Sequence, residues 1–91
     1  MRRVFKYQLY NPTSVLGLSK SAIIRKVALQ YGYPTVWAEV DEAEEKRLYE
    51  VRSFCTGEAL PEDIDTYSFL DTVLCSDGDI ILHFYGKWLN Q

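Results

Sequence analysis

The 91-residue sequence is long enough for one domain, residues 1–91, and its 47% apolar content supports a core and excludes disorder. A net charge of −3 argues against a nonspecific nucleic-acid binder, which needs a basic face to neutralise phosphates. No apolar run approaches the roughly 18 residues of a membrane span, and Met1-Arg2-Arg3-Val4-Phe5 turns polar at once, so neither a span nor a signal peptide is expected and the expected location is the cytoplasm.

Arg3 to Tyr10 alternates, with Phe5, Tyr7 and Leu9 on one side and Lys6, Gln8 and Tyr10 on the other, as a half-buried strand does. Asn11-Pro12-Thr13-Ser14 ends it with turn chemistry. The next segment, Ser19 to Tyr31, fits two patterns. With period 3.6, Ile23, Ile24, Val27, Ala28 and Tyr31 make a helical stripe capped by a serine and by Gly32. With period 2, Ile23, Val27 and Leu29 face a core and Arg25 interrupts. The strand reading is adopted, because Tyr31-Gly32-Tyr33-Pro34 can turn a hairpin into an unmistakable strand. In that strand Val36, Ala38 and Val40 point one way, and Thr35, Trp37 and Glu39 the other.

An acidic loop, Asp41 to Glu45, leads into a strand from Lys46 to Cys55, with Tyr49, Val51 and Cys55 on one face and Leu48, Glu50, Arg52 and Phe54 on the other. A second acidic loop runs from Glu58 to Asp65. Tyr67 to Tyr85 reads as a hairpin turning at Asp77-Gly78, both of which tolerate positive φ. Counting outward sets Cys75 opposite Ile80, Val73 opposite Leu82 and Thr72 opposite His83. Both faces of that hairpin are apolar, so both require cover. The expected fold is all-β, or β-dominated α+β: one strongly bent antiparallel sheet of about five or six strands, barrel- or sandwich-like.

Several of these residues recur together in a known family. Phe5-Lys6-Tyr7-Gln8-Leu9, the run Gln30-Tyr31-Gly32-Tyr33-Pro34 through Trp37-Ala38-Glu39-Val40-Asp41, Cys55-Thr56-Gly57 with Pro61, and His83-Phe84 stand where that family has W/F-K-Y-x-L, Q-x-G-x-P-x-x-W-A-x-V-D, G-T-G with a nearby Pro, and H-x-F. Across nearly its full length the chain resembles this group of small proteins, encoded mainly by bacteriophages and prophages. Cys55 departs from the usual Gly, which weakens the Thr56-Gly57 loop as a family-wide site, and Tyr85 departs from a common acidic residue. The resemblance implies a viral origin and a bacterial host cytoplasm, and it implies no settled activity. Small phage proteins of this size often inhibit host defences.

Candidate residues divide by chemistry. Tyr31, Tyr33 and Trp37, with Glu39 and Glu42 beside them, form the expected partner-binding segment, since aromatics dominate interface centres and polar groups their rims. Trp37 becomes core if both faces of its strand are buried. Arg25 and Arg52 are the candidate anion-binding residues. Arg25, Lys26, Arg47 and Arg52 could gather to hold a phosphate, and pairing with Glu39 or Glu50 is the plainer alternative. The lone histidine, His83, is expected to hydrogen-bond near Thr72 and not to act chemically. Cys55 and Cys75 are expected to be buried, reduced thiols. No catalytic residue, metal site or cofactor is legible.

The expected function is a non-enzymatic inhibitor that contacts a host protein, a defence component. The alternative is a sponge for a small anionic signalling nucleotide. A helix-turn-helix DNA binder follows only if Ser21 to Tyr31 is helical. A homodimer is compatible with an apolar face that needs cover.

Overall fold

Two antiparallel sheets pack face to face in the computed structural model, which describes residues 1–89. The strands are β1 (Arg2–Gln8), β2 (Thr13–Ser19), β3 (Ile23–Gln30), β4 (Tyr33–Asp41), β5 (Lys46–Cys55), β6 (Ser68–Cys75) and β7 (Ile80–Trp88). One sheet runs β1-β4-β3 and the other β2-β5-β7-β6. The fold is therefore all-β and sandwich-like, with seven strands in place of five or six. The expected single bent sheet is two sheets that do not close into a barrel. No α-helix occurs among the described residues, so none is long and apolar enough to cross a membrane.

The strand that sequence patterning missed is β2. Pro12 and Gly17 punctuate it, and Leu16-Gly17-Leu18 has little β-branched content to mark a strand. Residues 23–30 form the strand β3, which removes the structural basis for a helix-turn-helix. Its helical appearance has a cause. The register with β4 slips between Ile24 and Lys26, leaving Arg25 as an extra residue. The bulge sets Ile24 and Val27 on the same face three residues apart, opposite Ala38 and Val36, a spacing that imitates a helix turn. Ile23, expected inside, is on the outer face and 42% exposed.

Val36, Ala38 and Val40 of β4 are buried, as alternation required. They meet Leu9, Leu18, Val27, Tyr49, Val51, Val73 and Phe84 in a core between the sheets. Phe54 is 3% exposed yet lies on the far side of its sheet, in a pocket shared with Leu60, His83 and Tyr85. The 56–66 segment supplies part of the cover that the second face of the β6–β7 hairpin required, while Phe69 and Leu74 of that hairpin stay exposed.

Both predicted tight hairpins form. Tyr31 (φ 53°) and Gly32 (φ 82°) turn β3 into β4, and Asp77 (φ 55°) and Gly78 (φ 92°) turn β6 into β7. Asp79 N–H closes the second turn on the Ser76 carbonyl at 3.0 Å. Positive φ at two successive residues is what a type I′ turn needs to follow strand twist. Cys75, Val73 and Thr72 lie opposite Ile80, Leu82 and His83, the predicted register. Nearer the start of β6 a second bulge, between Phe69 and Asp71, swaps the faces, and Phe69 is exposed. Both cysteines are free, and Cys55 is exposed at the end of β5 where burial was expected.

Candidate partner-binding face

Side-chain alternation in β4 sends Trp37 and Glu39 to the outer face of the β1-β4-β3 sheet. The flanking strands decide their neighbours. Lys6 of β1 and Lys26 of β3 are both directly opposite Trp37, so one cross-strand row reads Lys6–Trp37–Lys26. The next row reads Val4–Glu39–Ile23. Trp37 is half-buried and Lys26 exposed. Among the described residues Lys26 has no ion-pair partner, and the Lys6 ammonium donates to the neutral Gln30 Oε1 at 2.7 Å.

Glu39 sits between two guanidiniums. Its Oε2 accepts from Arg2 Nε and Nη2 at 2.9 and 2.7 Å, and its Oε1 accepts from Arg25 Nε and Nη2 at 3.1 and 2.9 Å. The hydrogen bonds from Arg2, then those from Arg25, hold its carboxyl below the ordinary value. Asp41, at the end of β4, is also lowered, first by the Ala43 N–H and then by the Met1 ammonium. The bulge is what places Arg25 here, beside the row it flanks.

Tyr31 belongs to this face through Lys6, whose Nζ lies 5.6 Å from the ring centroid, within cation–π range. It is 82% exposed. A bulky residue with positive φ is uncommon and strained.

The predicted site residues thus divide. Trp37, Glu39, Arg25 and Tyr31 come together. Tyr33 does not join them: it packs edge-to-face on Tyr10, ring centroids 5.2 Å apart. Glu42 pairs with Arg3 and borders a separate cleft of about 210 Å³ with Phe5, Tyr7 and Lys46. Arg52 lies in the other sheet, over the Phe54 ring at 5.0 Å, with its pKa raised first by a hydrogen bond to Tyr67. The Tyr67 hydroxyl in turn donates to Glu50. The four cations proposed to gather are divided too, with Arg25 and Lys26 in one sheet and Arg47 and Arg52 in the other. Arg2, Lys6 and Lys26 are the members of the face that sequence reasoning did not assign to it. Their one signal was the position of Lys6 on the polar side of β1.

His83 is held from both sides. Nδ1 lies 3.0 Å from the Thr72 hydroxyl, as the register predicted, and Nε2 lies 2.7 Å from the Thr56 hydroxyl. A neutral imidazole satisfies this arrangement by donating through one nitrogen and accepting through the other. Among the described residues no group of three or more His, Cys, Asp or Glu side chains is placed to hold a metal ion. The acidic loops fix turns: Glu44 accepts from the Ser21 N–H and hydroxyl, and Glu58 accepts from the Cys55 N–H.

Comparison with curated proteins finds no match. Comparison with solved structures finds none either. A family model described as Domain of unknown function (DUF7352) matches residues 1–91, and the chain belongs to that family.

Proposed function

We propose that this protein is a non-catalytic, phage-encoded binding protein that inhibits a host bacterial defence component by direct protein–protein contact. The observation that carries the reading is the row Lys6–Trp37–Lys26 on the outer face of a three-stranded sheet, with Tyr31 beside it. A large aromatic framed by polar groups is the usual composition of an interface centre. The viral origin and the defence component rest on the sequence resemblance. The nucleotide-sponge alternative has less support, because Arg25 is engaged by Glu39, and Arg52, by Tyr67, on a different sheet.

The test is capture from a bacterial lysate with the wild-type chain and with Trp37→Ala, followed by mass spectrometry of co-purifying proteins and nucleotides. The expected result is a host protein that is retained by the wild type and lost with Trp37→Ala, while the variant still melts cooperatively. Retention of a nucleotide without any protein would transfer the function to the sponge.

A further inference from the structure

We propose that the outer face of β1-β4-β3 recognises an acidic protein surface, with Trp37 as the apolar anchor and Lys6 and Lys26 as the charges that select it. The inference rests on the reading of this face as the binding site and specifies what the face binds.

The first support is local charge. Arg2, Lys6, Arg25 and Lys26 share the face with two carboxylates. One of these, Glu39, is divided between two guanidiniums, and the other, Asp41, is held by the Met1 ammonium at 3.2 Å. Neither lysine is neutralised by a carboxylate among the described residues. The face is therefore cationic on a protein whose net charge is −3. The second support is segregation along the chain. Residues 1–48 carry eight Lys or Arg against five Asp or Glu, whereas residues 49–91 carry two against eight. The first group builds the whole β1-β4-β3 sheet. A surface polarised in this way steers and orients a partner of opposite sign.

The third support separates carboxylates from nucleic-acid phosphates. Base stacking along a strand needs successive aromatic faces open to solvent; Trp37 is half-buried and the exposed Tyr31 ring has the Lys6 ammonium over it. The positive area is also short. It ends at Glu42, Glu44 and Glu45 just beyond β4, and β6 and β7 of the other sheet come from the acidic 49–91 part of the chain. An extended polyphosphate crossing the face would run onto like charge, whereas an acidic protein patch can be confined to the cationic area. Neighbouring strands lie about 4.8 Å apart, so the two lysines straddle Trp37 at a separation that suits carboxylates around an apolar pocket.

The experiment titrates ¹⁵N-labelled full chain with poly-L-glutamate and, separately, with oligothymidylate. The expected result is saturable amide shifts with poly-L-glutamate at Lys6, Lys26 and the Trp37 indole. These should weaken roughly tenfold in the double variant Lys6→Gln/Lys26→Gln and fade near 1 M salt, where the Debye length is about 3 Å. Both lysines are exposed on the surface, so the double variant is expected to keep its fold, which its amide spectrum checks directly. Absent shifts, shifts centred elsewhere, or stronger binding of oligothymidylate would each overturn the acidic-protein assignment. Lysate capture with the same variants separates this inference from the reading beneath it. Capture that needs Trp37 but ignores the lysines leaves the face standing and removes its acidic partner, and capture indifferent to Trp37 removes the face itself.

Discussion

Asp71 of β6 accepts the backbone N–H of Val27 of β3 through Oδ2 at 3.1 Å, tying the edge of one sheet to the edge of the other. Both strands are irregular near this contact. The β3 bulge at Arg25 immediately precedes it, and the β6 bulge turns Asp71 onto the same face as its partner Phe84, which is 2% exposed. Oδ1 accepts the Thr72 N–H at 2.9 Å, which fixes the carboxylate. Val27 is buried, so its N–H has little access to water as a substitute partner.

Asp71→Ala is therefore expected to destabilise the fold by about 1–3 kcal/mol, the cost of leaving a buried donor unmatched. Asp71→Asn keeps a carbonyl oxygen in place and should lose less. Urea unfolding of the two variants checks this, and equal losses would show that the acceptor is not what matters.

What the sequence made legible follows from range. Asp77-Gly78 and Tyr31-Gly32 are local signals, and both hairpins and the Thr72–His83 register came from them. The alternation of Val36, Ala38 and Val40 against Trp37 was equally local. The pairing of β1 with β4 joins residues about thirty positions apart and leaves no local mark, so Lys6 could not be set beside Trp37 in advance. Bulges were illegible for another reason. An extra residue such as Arg25 changes which side chains face inward without breaking the strand, and it reads in sequence as a helical period.

Gly86 leaves space that Tyr49 fills. A Cβ at position 86 would meet Tyr49 Cε2 at 2.4 Å and its hydroxyl oxygen at 2.5 Å. The ring cannot move freely, because it is 5% exposed and packs edge-to-face on Trp88 at 4.9 Å. Gly86→Ala should cost about 1–3 kcal/mol, as overpacking does. In a double-mutant cycle with Tyr49→Leu the penalty at position 86 should shrink, because the clashing ring is gone. Additive losses would place the strain elsewhere.

Acid should remove the stabilisation that the Glu39 carboxylate gives the folded chain. The Glu39 carboxyl is held below its ordinary value of 4.5 in the folded chain, first by Arg2 and then by Arg25. Below that ordinary value the unfolded chain takes up the proton more readily than the folded one. The stabilisation is then fully present above about pH 4.5 and is lost as pH falls through the folded value. Melting temperature measured downward from neutral pH should fall along this limb in the wild type, and less steeply in Glu39→Gln. Asp41 keeps part of the slope, since its carboxyl is also lowered. Superimposable profiles would refute the assignment to Glu39.

His83 is expected to matter for stability and not for partner binding. Its two nitrogens are occupied by Thr56 and Thr72 on the sheet away from Trp37. His83→Gln should lower stability by about 1 kcal/mol, the worth of a typical hydrogen bond, and leave lysate capture intact. A folded His83→Gln chain that captures nothing would move the site to the opposite sheet.

Tyr31 offers the sharpest separation of stability from binding. It occupies the first position of a turn that needs positive φ, where Asn is the favoured residue beside Gly. A tyrosine there is strained, and its ring is almost wholly exposed, so burial does not offset the strain. Tyr31→Asn is accordingly expected to stabilise the fold by about 0.5–1 kcal/mol by relieving that conformation, less whatever the Lys6 ammonium over the ring contributes. If the ring is kept for a partner, the same variant should bind more weakly, by about 1 kcal/mol or more for an interface aromatic. Paired thermal melts and capture titrations read both quantities from one protein. A variant that gains stability and keeps full binding would show that Tyr31 is a tolerated turn residue outside the interface, and the contact would then contract to the Lys6–Trp37–Lys26 row.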